Sequence, residues 1–564
     1  MFPVQHAFSI AKGRIIKVAI FSGIVNVLTL SGSIYMLQVY DRVLPTRSFP
    51  TLIGLSLLLI AVYALQGFFD SLRIRMLTRI GALFDQSLQK QIYDCILFLR
   101  LRGWESTTVT QPIRDLEVVR MFLSGMGPTA FLDLPWIPLF LIVLFFFHPI
   151  IALSALIGIL LIVGFTFLVE YSTREHAHEI EKLGSLRGAM ARIMAYNAEV
   201  IHALGMTARF GAQWRMVNIA YIREILNIRD IEADIGTMAK MIRYILQSSI
   251  LGVGAALVIT DQATAGIMIA SSIVMGRALA PIEIVLGTWK QFQMMLAALS
   301  RLTGMLNANA AAAMPVLELP RPNSLLEAKD LHIVPPGSNQ LVGRSITFEL
   351  TPGAGLAVLG ASGSGKTSLA RTLVGIWKPA QGNVCLDGAH IDQWDSDQLG
   401  RYIGYIPQDV ALFDGTIAQN ISRFEKQPSD AHIIDAAKTA GVHDLILSFQ
   451  DGYSRKVGEN GRLLSAGQRQ RIALARACYG DPFLIVLDEP NASLDTEGEK
   501  ALAETIVRLR ERQCIVIVIS HRISTLDVLN MAMVMLNGRV LAFGPRDEVM
   551  ASLAVQPAPP PAGG

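Results

Sequence analysis

Leu356-Ala357-Val358-Leu359-Gly360-Ala361-Ser362-Gly363-Ser364-Gly365-Lys366-Thr367-Ser368-Leu369-Ala370-Arg371 reads as an apolar strand, a glycine-rich loop and the opening of a helix. In that context the pattern G-x-x-x-x-G-K-[ST] has a physical meaning. Glycines let successive backbone N–H groups turn inward around a polyphosphate, and the helix behind them adds the positive end of its dipole. Lys366 is placed to neutralise β/γ-phosphate charge, and Thr367 to offer a hydroxyl to Mg²⁺. Gly360, Ala361, Ser362, Gly363, Ser364, Gly365, Lys366, Thr367 and Ser368 are therefore the candidate nucleotide-binding residues, with ATP and Mg²⁺ as the expected cofactors. An ordinary glycine-rich turn would not need Lys-Thr in this register.

Further candidates lie downstream. Gln408 follows Tyr405-Ile406-Pro407 at the end of a short strand, where its side chain can reach Mg²⁺ or an attacking water. Leu464-Ser465-Ala466-Gly467-Gln468 opens a basic helix, and a serine and a glycine at a helix N-terminus form a second phosphate-binding surface. Ser465, Gly467 and Gln468 join the nucleotide-binding set on that basis. Phe483 to Leu487 is a buried strand that ends in Asp488-Glu489. Asp488 is the expected Mg²⁺ carboxylate, with Thr367 and Gln408 as further metal ligands. Glu489 is the expected general base. Ile515 to Ile519 is a second apolar strand that delivers His521 to the carboxyl edge of the sheet. Lys366, Gln408, Glu489 and His521 make up the catalytic set.

The other half of the chain has a different character. Of 564 residues, 52% are hydrophobic and only 17% charged, too apolar for a wholly soluble protein. The excess lies in roughly the first 300 residues. Stretches 17–40, 50–72, 128–147, 150–170, 238–260 and 263–285 are each long enough to cross a bilayer of ~30 Å. His148-Pro149 splits the third from the fourth. Basic residues cluster at the N-terminus and after the second, fourth and sixth spans, which predicts both termini in the cytoplasm. The long intracellular segments read as helices with turns near 102–111 and 206–215, able to touch the nucleotide domain. Asp133 reads either as a functional intramembrane carboxylate or as an interfacial one. Asn26, Thr29, Ser31, Ser33 and Gln38 are either polar lining of a path or helix–helix glue. The net charge of +3 is unclustered, so no nucleic-acid partner is expected, and four scattered cysteines suggest free thiols. The domain boundaries expected are a transmembrane domain over 1–305, a linker over 306–323, a nucleotide domain over 324–552, and a disordered Pro/Gly-rich tail over 553–564.

The order and spacing of the phosphate loop, Gln408, Leu464 to Gln468, Asp488-Glu489, Ala492-Ser493-Leu494-Asp495 and His521 resemble an ABC-transporter ATPase domain. Together with the six spans, they resemble a half-size type I exporter. This implies an α-helical six-span transmembrane domain fused to an α/β P-loop NTPase domain. Lys456 to Gly461 resembles the exporter-specific stretch before the signature. Tyr35 to Pro45, Asp133-Leu134-Pro135-Trp136-Ile137-Pro138, Asn197-Ala198-Glu199-Val200 and Asp488 to Asp495 resemble the type I protein-secretion ATPases that export proteases, lipases and repeat-in-toxin proteins. The resemblance implies ATP-driven export of an unfolded protein with a C-terminal signal across a bacterial inner membrane. It also implies a homodimer whose Ser465 and Gly467 contact the nucleotide of the other subunit, a periplasmic membrane-fusion adaptor and an outer-membrane channel. No N-terminal peptidase domain is expected. Ala466 stands where the family usually has Gly, and Pro335 where an adenine-stacking aromatic is common. A half-size exporter of lipids or small amphiphiles is the alternative. A nucleotide-gated regulator is disfavoured by the presence of Glu489 and His521.

Overall fold

The computed structural model describes residues 3–104, 109–312, 319–520 and 523–555. His521, linker residues 313–318, residues 105–108 of the first expected turn, and 556–564 of the expected tail lie outside them. The chain divides into two compact units, Met1–Leu97 with Glu105–Ala310 and Phe98–Trp104 with Ala311–Gly564.

The first unit is helical. Among the described residues, five helical stretches are long and apolar enough to cross a membrane: Pro3–Thr46, Phe49–Leu101, Gly127–Phe147, Thr207–Ile259 and Ala265–Asn309. The expected span 150–170 falls on a shorter apolar stretch, Pro149–Gly164, of a helix that continues to Tyr196. The break before it has a local cause. His148 is extended (φ −167°, ψ 137°), its ring nitrogen accepts the Ile150 N–H at 3.2 Å, and Pro149 opens the next helix. The turn expected at 206–215 lies instead at Leu204–Met206. Gly205 takes φ +65°, while Met206 N–H returns to Ile201 O at 2.8 Å and Gly205 N–H to His202 O at 3.1 Å. This glycine-terminated stop closes the helix Ala198–Ala203, and the next helix starts at Thr207.

Most of this unit is held by apolar packing. Phe140, Leu144, Ile151, Ala155, Ile250, Met275 and Leu279 are buried together where four helices meet. Several polar contacts join distant segments, among them Arg301 with Asp115 at 2.8 Å and two centred on Asp41 and Asp133. Asp41, in a short π-helical turn (Val39–Val43), accepts Thr264 Oγ1 at 2.7 Å and Gly266 N–H at 3.0 Å. It thereby caps the helix Ala265–Ala312 from outside. Asp133 is the hub of a second contact. Its Oδ1 accepts Ser22 Oγ and Asn26 Nδ2, both at 2.7 Å, and Arg73 donates to both carboxylate oxygens at 3.0 Å. Arg73 also pairs with Asp70 at 2.8 Å. Ser22, Asn26 and Arg73 are buried, so Asn26 acts as glue between helices. The hydroxyls of Thr29, Ser31 and Ser33 turn back onto carbonyls of Val25, Leu28 and Leu30.

This cluster carries a prediction. Asp133→Leu should leave buried Arg73 with Asp70 as its remaining carboxylate among the described residues, at a cost of about 1.5–3 kcal/mol for the charged hydrogen bonds lost. The double variant Arg73→Met/Asp133→Leu should recover part of that, because the buried cation that lost its main partner is gone. Thermal unfolding of the detergent-solubilised protein measures both. A double variant less stable than Asp133→Leu would show that the pair does not act as a charge pair.

The second unit contains β1 (Leu326–Ile333), β2 (Gly343–Leu350), β3 (Gly355–Gly360), β4 (Gln381–Leu386), β5 (Ala389–His390), β6 (Ile403–Ile406), β7 (Leu484–Asp488), β8 (Ile515–Ile519), β9 (Met531–Leu536) and β10 (Arg539–Pro545). An antiparallel sheet has the order β2-β1-β4-β5, and a six-stranded sheet the order β10-β9-β3-β8-β7-β6. Its strands are parallel except for β10. Every residue of β7 and β8 is buried, as continuous apolar runs in a parallel sheet require. Alternate residues serve two cores. Ile485, Leu487, Val516 and Val518 pack with the helices Ala466–Cys478 and Thr496–Glu511. Leu484, Val486, Ile515 and Ile517 pack with the helix Lys366–Leu373 and with Leu326 and Phe348 of the antiparallel sheet. The parallel strands therefore present their carboxyl ends along one edge, where ligands bind in such sheets.

Candidate functional site: a phosphate loop at the sheet edge

β3 runs into the glycine-rich loop, and the helix Lys366–Leu373 leaves it. Two glycines make this turn possible. Gly365 has φ +97°, and a Cβ there would stand 2.5 Å from Val342 O; Gly360 has φ +150°, and its Cβ would stand 2.3 Å from Met535 O. A side chain at either would clash as well as strain the backbone. Lys366 is 6% exposed, and its ammonium donates to the loop's own Gly360 O and Ala361 O at 2.7 and 2.8 Å. Burial pulls its pKa down, while Glu489 and Asp488 push it back up. The loop's own backbone carbonyls thus hold the cation over the turn.

Facing the loop are the residues at the ends of β7 and β6. Asp488 is 1% exposed; its Oδ1 accepts the Thr367 hydroxyl at 3.3 Å, and its Oδ2 is buried with no hydrogen-bond partner among the described residues. Burial pushes its carboxyl above the usual range. A buried carboxylate oxygen without a partner, beside a hydroxyl, is the donor set a hard divalent cation takes. The residues present thus fit Mg²⁺. Ile406 of β6 lies opposite Leu487 of β7, so the segments leaving both strands run side by side. Gln408 Nε2 donates to Glu489 Oε2 at 3.1 Å across that gap.

Glu489 has φ +50°, a left-handed conformation that costs a non-glycine residue about 1–3 kcal/mol and persists only where its surroundings enforce it. They do so here. Its N–H donates to Ile519 O at 2.9 Å, and its carbonyl accepts Ala492 N–H at 3.2 Å. Gln470 completes the clamp. This residue is 6% exposed; its amide nitrogen donates to Glu489 O at 3.5 Å and to Pro490 O, and its oxygen accepts Ser493 N–H at 3.2 Å. Asn491 reaches Thr525 Oγ1 at 2.7 Å. Sequence reasoning missed Gln470. The available signal was its position, since it shares the buried face of its helix with Ala473, Leu474 and Ala477, where a polar side chain needs partners.

Ser465, Gly467 and Gln468 stand at the start of the helix Ala466–Cys478. Ser465 Oγ accepts Gln468 N–H at 3.2 Å, and Gln468 Oε1 accepts Ser465 N–H at 3.0 Å, a reciprocal capping box. Gly467 lies so close to the loop after Glu489 that a Cβ would stand 3.0 Å from Ser493 O. Within one chain, therefore, the structure brings together Lys366, Thr367, Asp488, Gln408 and Glu489. The described hydrogen bonds of Ser465 and Gln468 close on their own helix end.

The comparisons with known proteins agree with this geometry. Residues 344–492 match the family described as ABC transporter, and residues 15–279 match ABC transporter transmembrane region. The type I secretion system ATP-binding protein PrsD of Rhizobium meliloti is 46% identical, over 96% of this chain and 93% of its own. The alpha-hemolysin translocation ATP-binding protein HlyB of Escherichia coli O157:H7 is 26% identical, over 96% and 78%. A solved bacterial Atm1-family ABC exporter with ATP bound has the same fold, with a TM-score of 0.82, 97% of each chain covered and 20% identity. A membrane unit and an ATPase unit each matched in its own right, together with a relative nearly half identical along almost its whole length, make this chain a member of the ABC transporter family, among the type I secretion ATP-binding proteins.

Proposed function

We propose that this chain is the ATP-hydrolysing, membrane-spanning component of a type I secretion system and drives a protein across the bacterial inner membrane. The observation that carries the ATP chemistry is the unpartnered Asp488 Oδ2 beside Thr367, one strand end from the Gln408–Glu489 pair. The names of the relatives support the protein cargo. In this reading, Gly360 to Ser368 wrap the phosphates and Lys366 releases its two carbonyls to pair with the γ-phosphate. Thr367, Asp488 and Gln408 would hold Mg²⁺, which would offset the charge on the phosphates. Glu489 polarises the attacking water, oriented by Gln408 and held by the Gln470 clamp, and His521 completes the catalytic set. Ser465, Gly467 and Gln468 act on the nucleotide of a second copy. Six spans with both termini in the cytoplasm, a transmembrane domain over 1–305, a linker over 306–323 and a nucleotide domain over 324–552 complete the proposal. An adaptor, an outer-membrane channel and an unfolded cargo with a C-terminal signal are the partners. A conduit for an extended chain must be wet or polar, because unsatisfied backbone in hydrocarbon costs several kcal/mol per group.

The test is secretion in cells that co-express an adaptor and an outer-membrane channel encoded beside this gene. A neighbouring protein, fused at its C-terminus to its own signal, should appear in the medium and stimulate ATP turnover. Lys366→Ala should reduce secretion to background. Stimulation and transport of a lipid, with no protein exported, would reject the cargo assignment in favour of an exporter of lipids or small amphiphiles.

A further inference from the structure

A cavity of about 340 Å³ opens between the helices Pro3–Thr29 and Phe49–Leu101, lined by Arg14, Lys17, Arg79 and Gln86 over Met76 and Leu83. It lies where the apolar stretches of both helices begin to give way to charged sequence. Among the described residues, none that lines it is acidic. Arg14, Lys17 and Arg79 are all exposed, and among the described residues no ion pair joins any of them to a carboxylate. Arg73, a turn and a half away on the same helix, contrasts with them, because Asp70 and Asp133 neutralise it. Arg14 and Lys17 share one face of the first helix by their i, i+3 spacing. Met76, Arg79, Leu83 and Gln86 share one face of the second. The two faces are fixed relative to each other by a buried seam of Ala11, Val18, Leu77 and Ile80. The three cations are thus gathered at one preformed concavity.

Beyond the pocket, on the side of the apolar stretches, both helices carry exposed hydrophobic residues. Ile20, one turn beyond Lys17, is 56% exposed, and Phe68, three turns before Arg79, is 57% exposed. An anion-binding hollow beside an apolar wall at the border of a membrane span matches an amphiphile with an anionic head and acyl tails. A soluble phosphate would use only the hollow. An acidic peptide would leave the wall uncovered. We propose that this pocket binds the phosphate headgroup of an anionic phospholipid, with its acyl chains along Ile20 and Phe68. Basic pockets between spans take such headgroups, and each Lys or Arg near the surface contributes about fivefold in affinity. Because the lipid would bridge the two helices that Arg73 also joins by donating to Ser22 Oγ at 2.9 Å, it adds a second fastening to the same pair.

The experiment uses the purified full chain in phosphatidylcholine nanodiscs with spin-labelled phosphatidylglycerol, read as the immobilised fraction of the label. The triple variant Arg14→Gln/Lys17→Gln/Arg79→Gln should weaken binding by on the order of 100-fold, and each single change by about fivefold. Arg75→Gln, exposed on the same helix but outside the pocket, should leave binding unchanged. ATP turnover of the triple variant in pure phosphatidylcholine, expected at the parental level, reports its folding. If the triple variant does not fold, Lys17→Gln and Arg79→Gln carry the measurement. Glycerol phosphate at millimolar concentration should not displace the labelled lipid. Equal immobilisation of labelled phosphatidylcholine, full retention of binding in the folded variants, or displacement by glycerol phosphate would each overturn the proposal. The first two would reduce the cations to topology-setting charges, and the third would make the pocket a site for soluble phosphates.

Discussion

Glu489→Gln is expected to bind ATP like the parent protein and to lose about 10²-fold or more of its turnover, the range that a positioned general base contributes. The substitution is nearly isosteric, and the amide oxygen it introduces can still accept the bond from Gln408 Nε2 that the carboxylate accepts at 3.1 Å. The backbone clamp from Gln470, Ala492 and Ile519 does not involve the side chain. What is removed is the negative charge proposed to polarise water. Glu489→Gly separates chemistry from strain. It removes the carboxylate but suits φ +50°, so it should be as inactive as Glu489→Gln and up to about 1 kcal/mol more stable. Lys366→Ala should fail earlier, at productive binding, because no other cation reaches into the loop from the same helix turn. Nucleotide binding measured with a fluorescent ATP analogue, beside steady-state phosphate release, distinguishes these behaviours. Glu489→Gln hydrolysing ATP near the parental rate would show that another group acts as base.

The second large effect is expected in mixed dimers. Ser465 is exposed, and its hydroxyl caps its own helix, so in one chain it does not complete the phosphate site built around Lys366. If Ser465 and Gly467 serve the nucleotide of a second copy, Lys366→Ala and Ser465→Arg homodimers have no intact composite site. A heterodimer of the two keeps one, with Lys366 from one chain and Ser465 from the other. Vanadate-trapped nucleotide should be near zero in both homodimers and about half the parental amount in the purified heterodimer, by count of intact sites. The cap lost in Ser465→Arg costs about 1 kcal/mol, too little to unfold the domain. A heterodimer that traps no more nucleotide than either homodimer would count against the composite arrangement.

The sequence by itself determined the elements whose signal is local. The phosphate loop is contiguous, and its glycines, lysine and threonine state their geometry within nine residues. The runs Leu484–Leu487 and Ile515–Ile519 are uninterrupted and apolar, which suffices to make them central parallel strands and to send Asp488 to the carboxyl edge. His148-Pro149 broke a long apolar stretch for reasons confined to two residues. The misplaced turn at 206–215 was also a local matter. Gly205 supplies the left-handed residue that ends the helix, and Gly211 sits within the helix that follows.

Tertiary structure alone decided the contacts between residues far apart in the chain. Ser22, Asn26, Arg73 and Asp133 meet only because three helices pack together, and no periodicity within any one of them says which polar side chains will be opposite. The same holds for Asp41 and the start of the last helix. The pairing of Gln408 with Glu489 follows from the register of β6 against β7, and the left-handed backbone of Glu489 from what Ile519 and Gln470 impose on it. A side chain's type is written in the sequence. Its partner depends on how strands are registered and helices rotated, and that is set by the summed packing of a whole core rather than by any local segment.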